Sequence, residues 1–196
     1  VNLTHQAEVY IHRLNSTRQG KIMSWNLTDS HNETKQSIKA TAKLAASKEG
    51  SNHVQNFNRS YCIGLFTWIL RHTIDGPFDL FVNVTVPFFA GHILPPKTYQ
   101  LNLNNLTAHH VHNETWGKKT GDPIYEVYTK QCDATGNATF NGFFSYSTKG
   151  KKQTKWYAVG AGMLENNTIG LRKLKKKTLV YDVRGTYIEQ IFCYRS

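Results

Sequence analysis

Cysteine, acidic residues and long apolar runs are all scarce in this chain of 196 residues. Its three cysteines exclude a disulfide-dense scaffold, and a chain of this length can bury a sizeable core without one. No apolar run approaches the roughly 18 residues of a membrane-spanning helix. The 39% hydrophobic and 12% aromatic content is too rich for a disordered chain. We therefore expect one soluble domain without a membrane segment.

The sequence also lacks a basic and apolar leader at Val1, so we expect that any secretory signal has already been removed. Export is indicated instead by ten Asn-x-Ser/Thr patterns without proline at x, which is more than chance gives in an Asn-rich chain. They predict a secreted, extracellular glycoprotein. The acceptor asparagines are Asn2, Asn15, Asn26, Asn32, Asn58, Asn83, Asn105, Asn113, Asn137 and Asn166.

Acidic residues are few, with 13 Asp and Glu against 24 Lys and Arg, and the net charge is +11. This balance favours polyanions or negatively charged surfaces as partners. No RNA- or DNA-binding motif accompanies the charge, so a heparan-like glycan is expected rather than nucleic acid. One basic run is typical of a glycosaminoglycan patch, although a solvated helix face explains it equally well. Its residues are Arg172, Lys173, Lys175, Lys176 and Lys177.

Hydrophobic periodicity predicts a mostly β chain. The segment THQAEVYIHRL has helical spacing, with Thr4 placed as an N-cap. A sequon-rich loop to residue 34 is expected next, and from Lys35 the period changes to two. About eight strands follow, of which those at 60–70 and 79–88 are separated by a DGP turn that favours a hairpin. The segment NTIGLRKLKKK is a possible second helix, followed by the extended TLVYDV.

Consecutive strands with short turns and no βαβ alternation predict an all-β up-and-down barrel or a sandwich. An eight-stranded barrel has room for one small ligand. We expect a single domain with an N-terminal helix and loop (1–34), a barrel (35–162), and a C-terminal helix with an extended tail (163–196). Because a glycosylated Asn83 must face water, Val82 and Val84 are expected to point inward.

Three cysteines allow one disulfide and leave one thiol. Cys62 opens an early strand, and Cys193 lies three residues from the C-terminus. A bond between them would close a loop of about 130 residues and stabilise the fold by roughly 4 to 5 kcal/mol on the chain-entropy model. We predict this pair.

Four stretches together resemble the salivary lipocalins of ticks, the histamine- and leukotriene-binding proteins. They are FNRSYCIGL with the first cysteine, the Tyr-rich IYEVYTKQCD, KWYAVG with its tryptophan, and TLVYDVRGTYIEQIFC with the terminal cysteine. The resemblance implies an eight-stranded, lipocalin-like antiparallel barrel that sequesters a small host mediator and thereby suppresses inflammation or immunity. In that family the cysteine at the Cys132 position bonds a fourth cysteine, which this chain lacks. Cys132 is then either a buried thiol in a monomer or the site of an intermolecular disulfide.

The resemblance also suggests the ligand. Amine-binding members use acidic residues, and Asp133 matches one of them, but Thr154, Lys155 and Lys97 stand where further carboxylates would be needed. A basic, aromatic-lined barrel better suits a hydrophobic ligand with a carboxylate, such as a leukotriene or fatty acid. A histamine or serotonin binder is the alternative. The candidate lining residues are Phe66, Trp68, Val82, Val84, Tyr99, His110, Tyr128, Phe144 and Trp156.

Signals of catalysis are few. The HHVH cluster at 109–112 lacks helical spacing and a third ligand motif, so we do not expect a metal site. The sequence contains no nucleophile elbow, phosphate-binding glycine loop or local carboxylate pair. We therefore expect neither an enzyme nor a cofactor. A different possibility is a surface-mediated binder of host protein or glycosaminoglycan, with no small ligand in its interior.

Overall fold

The computed structural model describes residues 1–17, 21–54, 62–86, 97–116, 125–150 and 153–193. These residues form one α-helix, two 3₁₀ turns and eleven β-strands. The helix is α1 (Leu3–Thr17). The strands are β1 (Ile22–Asn26), β2 (Lys39–Val54), β3 (Cys62–Leu70), β4 (Phe81–Val86), β5 (Lys97–Asn102), β6 (His109–Trp116), β7 (Tyr125–Asn141), β8 (Phe143–Lys149), β9 (Thr154–Gly160), β10 (Leu171–Lys175) and β11 (Thr178–Cys193).

The predicted N-terminal helix is present but begins earlier than expected. Asn2, rather than Thr4, lies at its N-terminus, where the Asn2 Oδ1 accepts a hydrogen bond from the backbone N–H of His5 at 2.7 Å. One face of α1 is buried, as the three- and four-residue spacing predicts. The buried residues are Leu3, Ala7 and Ile11. No helix among the described residues has both the length and the apolar character needed to span a membrane.

The main sheet is antiparallel, with strand order β2-β7-β11-β3-β6, and β10 pairs with the first part of β11. Strand β11 is central and pairs over most of its length with β7 and over its second half with β3. Alternate side chains of a strand point to opposite faces. On β11 the buried series includes Tyr187, Glu189 and Ile191, while Asp182 and Arg184 are exposed on the other face.

Two smaller sheets complete the fold. Strands β1, β8 and β9 form one, with β8 in the middle. Strands β4 and β5 form a hairpin, and β4 packs against β2 of the main sheet. As predicted from the sequon at Asn83, Val82 and Val84 are buried and Asn83 is exposed. The hairpin therefore covers part of the inward face of the main sheet.

The predicted eight-stranded up-and-down barrel is wrong. In such a barrel each strand pairs with the next one in sequence, whereas here β3 pairs with β6 and β11, and β7 pairs with β2 and β11. The hairpin expected across the DGP turn is also absent, because β4 pairs with β5 and not with β3. Alternating hydrophobicity determines which face of a strand is buried, but it leaves the partner strand open.

The predicted C-terminal helix is also wrong. The 3₁₀ turns Ala161–Leu164 and Asn167–Ile169 are followed by Gly170, which has a left-handed φ of 80°. Glycine adopts that conformation without strain, and the chain then turns into β10. The basic run lies on β10 and on the turn into β11, and the expected tail is the central strand of the main sheet. The expected loop before residue 34 contains β1.

Cys62 and Cys193 are joined by a disulfide, the pair predicted from the sequence. The two residues stand directly opposite each other in the β3–β11 ladder, with their Cα atoms 4.1 Å apart. The bond links residues 131 positions apart in sequence. It therefore fastens the end of the central strand to the beginning of β3.

Candidate functional site

A cleft of about 350 Å³ lies on the inward face of the main sheet, bordered by the edge strand β2 and by β4 of the hairpin. Its wall from β2 and β4 includes the apolar side chains of Leu44 and Val84. The floor is formed by residues of β3, β7 and β11, among them Trp68, Tyr187 and Glu189. We call this the Glu189 cleft. Its volume is that of a site for one small molecule.

The floor residues are brought together by strand register. Tyr187 of β11 stands opposite Trp68 on β3 and opposite Cys132 on β7. Two residues further along, Glu189 stands opposite Lys130 on β7. Because residues two apart share a face of the sheet, these side chains all lie on its inward face.

Two aromatic rings, those of Trp68 and Tyr187, lie on this floor, and the buried Phe66 packs against Tyr187. The Trp68 and Tyr187 ring centroids are 4.8 Å apart, and the Phe66 ring is stacked on Tyr187 at 5.9 Å. Rings at these separations attract each other through offset and tilted contacts, in addition to the area that they bury. The contacts hold the Tyr187 ring between the other two. The floor is consequently a fixed aromatic surface.

Three polar atoms of the floor have no hydrogen-bond partner within the described part of the chain. They are Trp68 Nε1, Tyr187 Oη and Glu189 Oε1. The three residues are only 1%, 2% and 2% exposed, respectively. A buried polar group without a partner destabilises a protein by about 1 to 3 kcal/mol, and native interiors rarely contain several close together. All three atoms belong to residues that line the Glu189 cleft.

Burial controls the electrostatics of the cleft. It raises the pKa of Glu189 to about 7, although the positive charge of Lys130 acts in the opposite direction. Burial also raises the pKa of the Tyr187 phenol and that of the Cys132 thiol, and the negative charge of Glu189 adds to both effects. At neutral pH the tyrosine and the cysteine are therefore neutral, and Glu189 is the group whose charge changes there.

Two of the lining residues predicted from sequence, Trp68 and Val84, do line this cleft. Phe66 is buried behind them against Tyr187. Tyr128 is buried on β7, and burial raises its pKa to about 12. Val82 and Tyr99 lie on the β4–β5 hairpin, Val82 buried and Tyr99 partly so.

The other predicted lining residues lie elsewhere. Phe144 is buried in the β1-β8-β9 sheet, where its ring packs on Tyr10 of α1 at 5.7 Å. Trp156 is 38% exposed on the same sheet and stacks on His31 at 3.8 Å. The backbone of His110 stands opposite Thr67 in the main sheet, and its side chain lies outside the described residues. The structure therefore does not bring the predicted set together in one cavity.

The remaining candidate residues lie mostly at the surface. The side chains of the basic run, Arg172 to Lys177, are exposed, and Arg172 donates to both carboxylate oxygens of Asp182, at 2.7 and 2.8 Å. Cys132 is a buried free thiol on the cleft floor. Asn58 and the side chain of Asn113 lie outside the described residues. Among the other acceptor asparagines, Asn26 and Asn166 are half-buried, and the exposed ones are Asn2, Asn15, Asn32, Asn83, Asn105 and Asn137.

Sequence reasoning missed Tyr187 and Glu189, because the segment that contains them was interpreted as a tail outside the barrel. A signal for both was present. In the stretch TLVYDVRGTYIEQIFC, the positions in phase with Cys193 are apolar or aromatic apart from Gly185 and Glu189. A carboxylate in the buried phase of a strand is rare unless it has a partner or a function.

Comparisons with known proteins bear on the fold. No family model matches this chain, and no curated protein sequence matches it. Its structure is similar to a chain in the crystal structure of the Cry23Aa1 and Cry37Aa1 binary protein complex, with 11% identity, a TM-score of 0.55, and coverage of 97% of this chain and 85% of the other. It is also similar to a non-toxic crystal protein from Bacillus thuringiensis, with 12% identity, a TM-score of 0.55, and coverage of 99% and 94%. The chain has the β-rich fold of these two structures, and not that of a lipocalin barrel.

Proposed function

We propose that the protein binds a small organic molecule in the Glu189 cleft and holds it without chemical turnover. The observation that supports this function is that three buried polar atoms, none with a hydrogen-bond partner among the described residues, belong to residues on the floor of one cleft. Small-molecule sites are typically clefts with apolar walls and a few polar groups that fix the orientation of the ligand. The Glu189 cleft has that composition.

The cleft is also built on rigid elements. Trp68 and Glu189 stand on β3 and β11, neighbouring strands of the main sheet, which the Cys62–Cys193 disulfide links at one end. Side chains held by regular strands and by ring contacts lose little conformational freedom when a ligand arrives. Preorganisation of this kind favours binding by a site of modest size.

Fluorescence of Trp68 tests the proposed function. The purified protein is titrated with histamine, serotonin, a leukotriene, a fatty acid and cholesterol, and fluorescence and thermal unfolding are recorded. A ligand of the cleft should change the fluorescence, and Trp68→Phe should remove the change. The matched control is Trp156→Phe, since Trp156 stacks on His31 away from the cleft. The proposal fails if no compound raises the unfolding temperature, or if Trp68→Phe leaves every fluorescence change intact.

We further propose that this binder is a secreted glycoprotein, since six of the acceptor asparagines with described side chains are exposed, as glycan attachment requires. One of them, Asn83, also contributes to the lining of the cleft. Intact mass before and after enzymatic deglycosylation of the protein from its natural source tests this proposal. An unchanged mass would contradict it.

A second candidate function is binding of an acidic partner at the surface. The four lysines at 173 and 175–177 are exposed at the β10–β11 turn, and clustered lysines attract polyanions. One of the structurally similar chains belongs to a binary protein complex, which supports a protein partner as well as a glycan.

A further inference from the structure

Going further on the function proposed above, we infer that the Glu189 cleft selects an organic cation that also carries an oxygen atom. The Glu189 carboxylate is the counter-ion of the cation. The indole N–H of Trp68 donates a hydrogen bond to the oxygen. A small amine with a hydroxyl group belongs to this chemical class.

The sign of the ligand charge follows from the position of Glu189. Its carboxyl group is almost fully buried on the inward face of β11, and Oε1 has no partner among the described residues. Lys130 stands opposite it on β7, yet burial outweighs the attraction of that lysine. The buried carboxylate therefore gains from a second positive charge in the cleft, whereas an anionic ligand would be repelled.

The aromatic floor also favours a positively charged ligand. The rings of Trp68 and Tyr187, 4.8 Å apart, lie beside the carboxylate on the inward face of the sheet. The faces of indole and phenol rings are negative and attract ammonium groups. A cation in the cleft would therefore be attracted both by a carboxylate and by the ring faces.

The need for an oxygen atom follows from the unpartnered donor. Trp68 Nε1 can only donate a hydrogen bond, and the ammonium group of a cation offers no acceptor. A hydroxyl or phenol oxygen on the same ligand would accept from Trp68, and Tyr187 Oη can donate or accept. A ligand with both groups would satisfy all three atoms at once. A cleft of about 350 Å³ is large enough for one aromatic amine.

Binding of a cation must then depend on pH. Among the side chains that the structure describes, the titratable groups that face Glu189 are Lys130, Cys132 and Tyr128 on β7 and Tyr187 on its own strand. The described lining from β2, β3 and β4 contributes none. Because only the ionised Glu189 attracts a cation and its pKa is about 7, affinity should be high above pH 8 and fall as the pH drops through 7. The amine stays charged throughout, since its pKa is near 10.

The test is a charge series on one ring, measured by calorimetry with the full chain. Tyramine carries an ammonium group, tyrosol carries a hydroxyl group in its place, and 4-hydroxyphenylacetate carries a carboxylate. At pH 8 we expect tyramine to bind about tenfold or more tightly than tyrosol, and 4-hydroxyphenylacetate most weakly. At pH 5.5 the affinity for tyramine should fall by about tenfold or more, while that for tyrosol should change little.

The variant Glu189→Gln should remove both the preference for tyramine and its pH dependence. The matched control is Asp133→Asn, because Asp133 is exposed on the opposite face of β7 and its replacement removes the same charge. The control should behave as the parent protein does. If Glu189→Gln fails to fold, the charge series and the pH profile of the parent protein still decide the question.

The outcomes separate this inference from the proposed function. Equal affinity for tyramine and tyrosol, or tighter binding of the carboxylate, overturns the cation selectivity but leaves a small-molecule site in place. No binding of any of the three compounds also overturns the inference. The proposed function is decided separately by the broader panel: it fails if no compound of that panel raises the unfolding temperature, or if Trp68→Phe leaves every fluorescence change intact.

Discussion

At the scale of single residues, the notable feature is an acid in a strand phase that is otherwise apolar or aromatic apart from one glycine. Glu189 is 2% exposed, and burial raises its pKa well above its ordinary value. A group in that state destabilises the fold whenever it must be ionised. Replacing it with an uncharged side chain of the same shape would raise the free energy of unfolding. The presence of Glu189 is therefore better explained by binding than by stability.

The variant Glu189→Gln should therefore stabilise the protein, and more so at high pH. The carboxyl pKa is raised from 4.5 to about 7 on folding, so the native state holds the proton more tightly. The stability contributed by that proton is complete below about pH 4.5 and is lost as the pH rises to 7. The loss is roughly 3 kcal/mol. Urea unfolding at pH 5 and pH 8 should show a larger gain for the variant at pH 8, and an equal gain at both pH values would contradict the prediction.

At the scale of elements, the sequence correctly predicted which face of an element is buried, but it did not predict which strands pair. The outward position of Asn83 placed Val82 and Val84 in the interior, and α1 buries the predicted face. The alternating pattern has no information on partners, and the assumption that neighbours in sequence pair gave a barrel. The actual order β2-β7-β11-β3-β6 depends on contacts between distant parts of the chain.

The candidate site was half predictable for the same reason. Trp68 and Val84 were identified because they are apolar positions in strongly patterned strands. Phe144 and Trp156 have the same local pattern but lie in a different sheet, which only the strand order reveals. Tyr187 and Glu189 became part of the site when the supposed tail proved to be the central strand.

The connection between β7 and β8 depends on Gly142, where the chain leaves the main sheet for the β1-β8-β9 sheet. Its φ is 144°, and a Cβ atom there would lie 2.5 Å from the backbone oxygen of Ser37. Its N–H also donates to the Lys177 carbonyl at 2.8 Å, and its carbonyl accepts from the Ala161 N–H at 3.0 Å. The position therefore joins several segments in a conformation that only glycine adopts freely.

We expect Gly142→Ala to lower the free energy of unfolding by about 2 to 4 kcal/mol, because backbone strain and a backbone clash act together. Gly76→Ala is the matched control. A Cβ atom at Gly76 would lie 3.3 Å from the side chain of Leu3, which can shift, so a loss of less than about 1.5 kcal/mol is expected. Chemical denaturation of both variants measures the difference. Equal losses of unfolding free energy would show that the backbone at Gly142 is not strained.

At the scale of the whole molecule, the fold is shared with two solved structures at 11% and 12% identity. Identity at this level leaves room for unrelated surfaces and sites on one architecture. On this fold the chain carries a buried carboxylate beside two aromatic rings of the Glu189 cleft and a net charge of +11. The charge acts over the whole surface, so a local function for the β10–β11 turn must be separated from it.

Retention on a heparin column distinguishes a binding site at the β10–β11 turn from the effect of net charge. Replacing the four lysines at 173 and 175–177 with glutamine lowers the net charge by four, and so does replacing Lys21, Lys39, Lys43 and Lys155, which are exposed elsewhere. If the turn is a binding site, the first variant should elute at much lower salt than the second, because clustered charges displace more counter-ions from one stretch of a polyanion. Equal elution of the two variants would mean that the column responds to net charge alone, and the β10–β11 turn would then be an ordinary solvated surface.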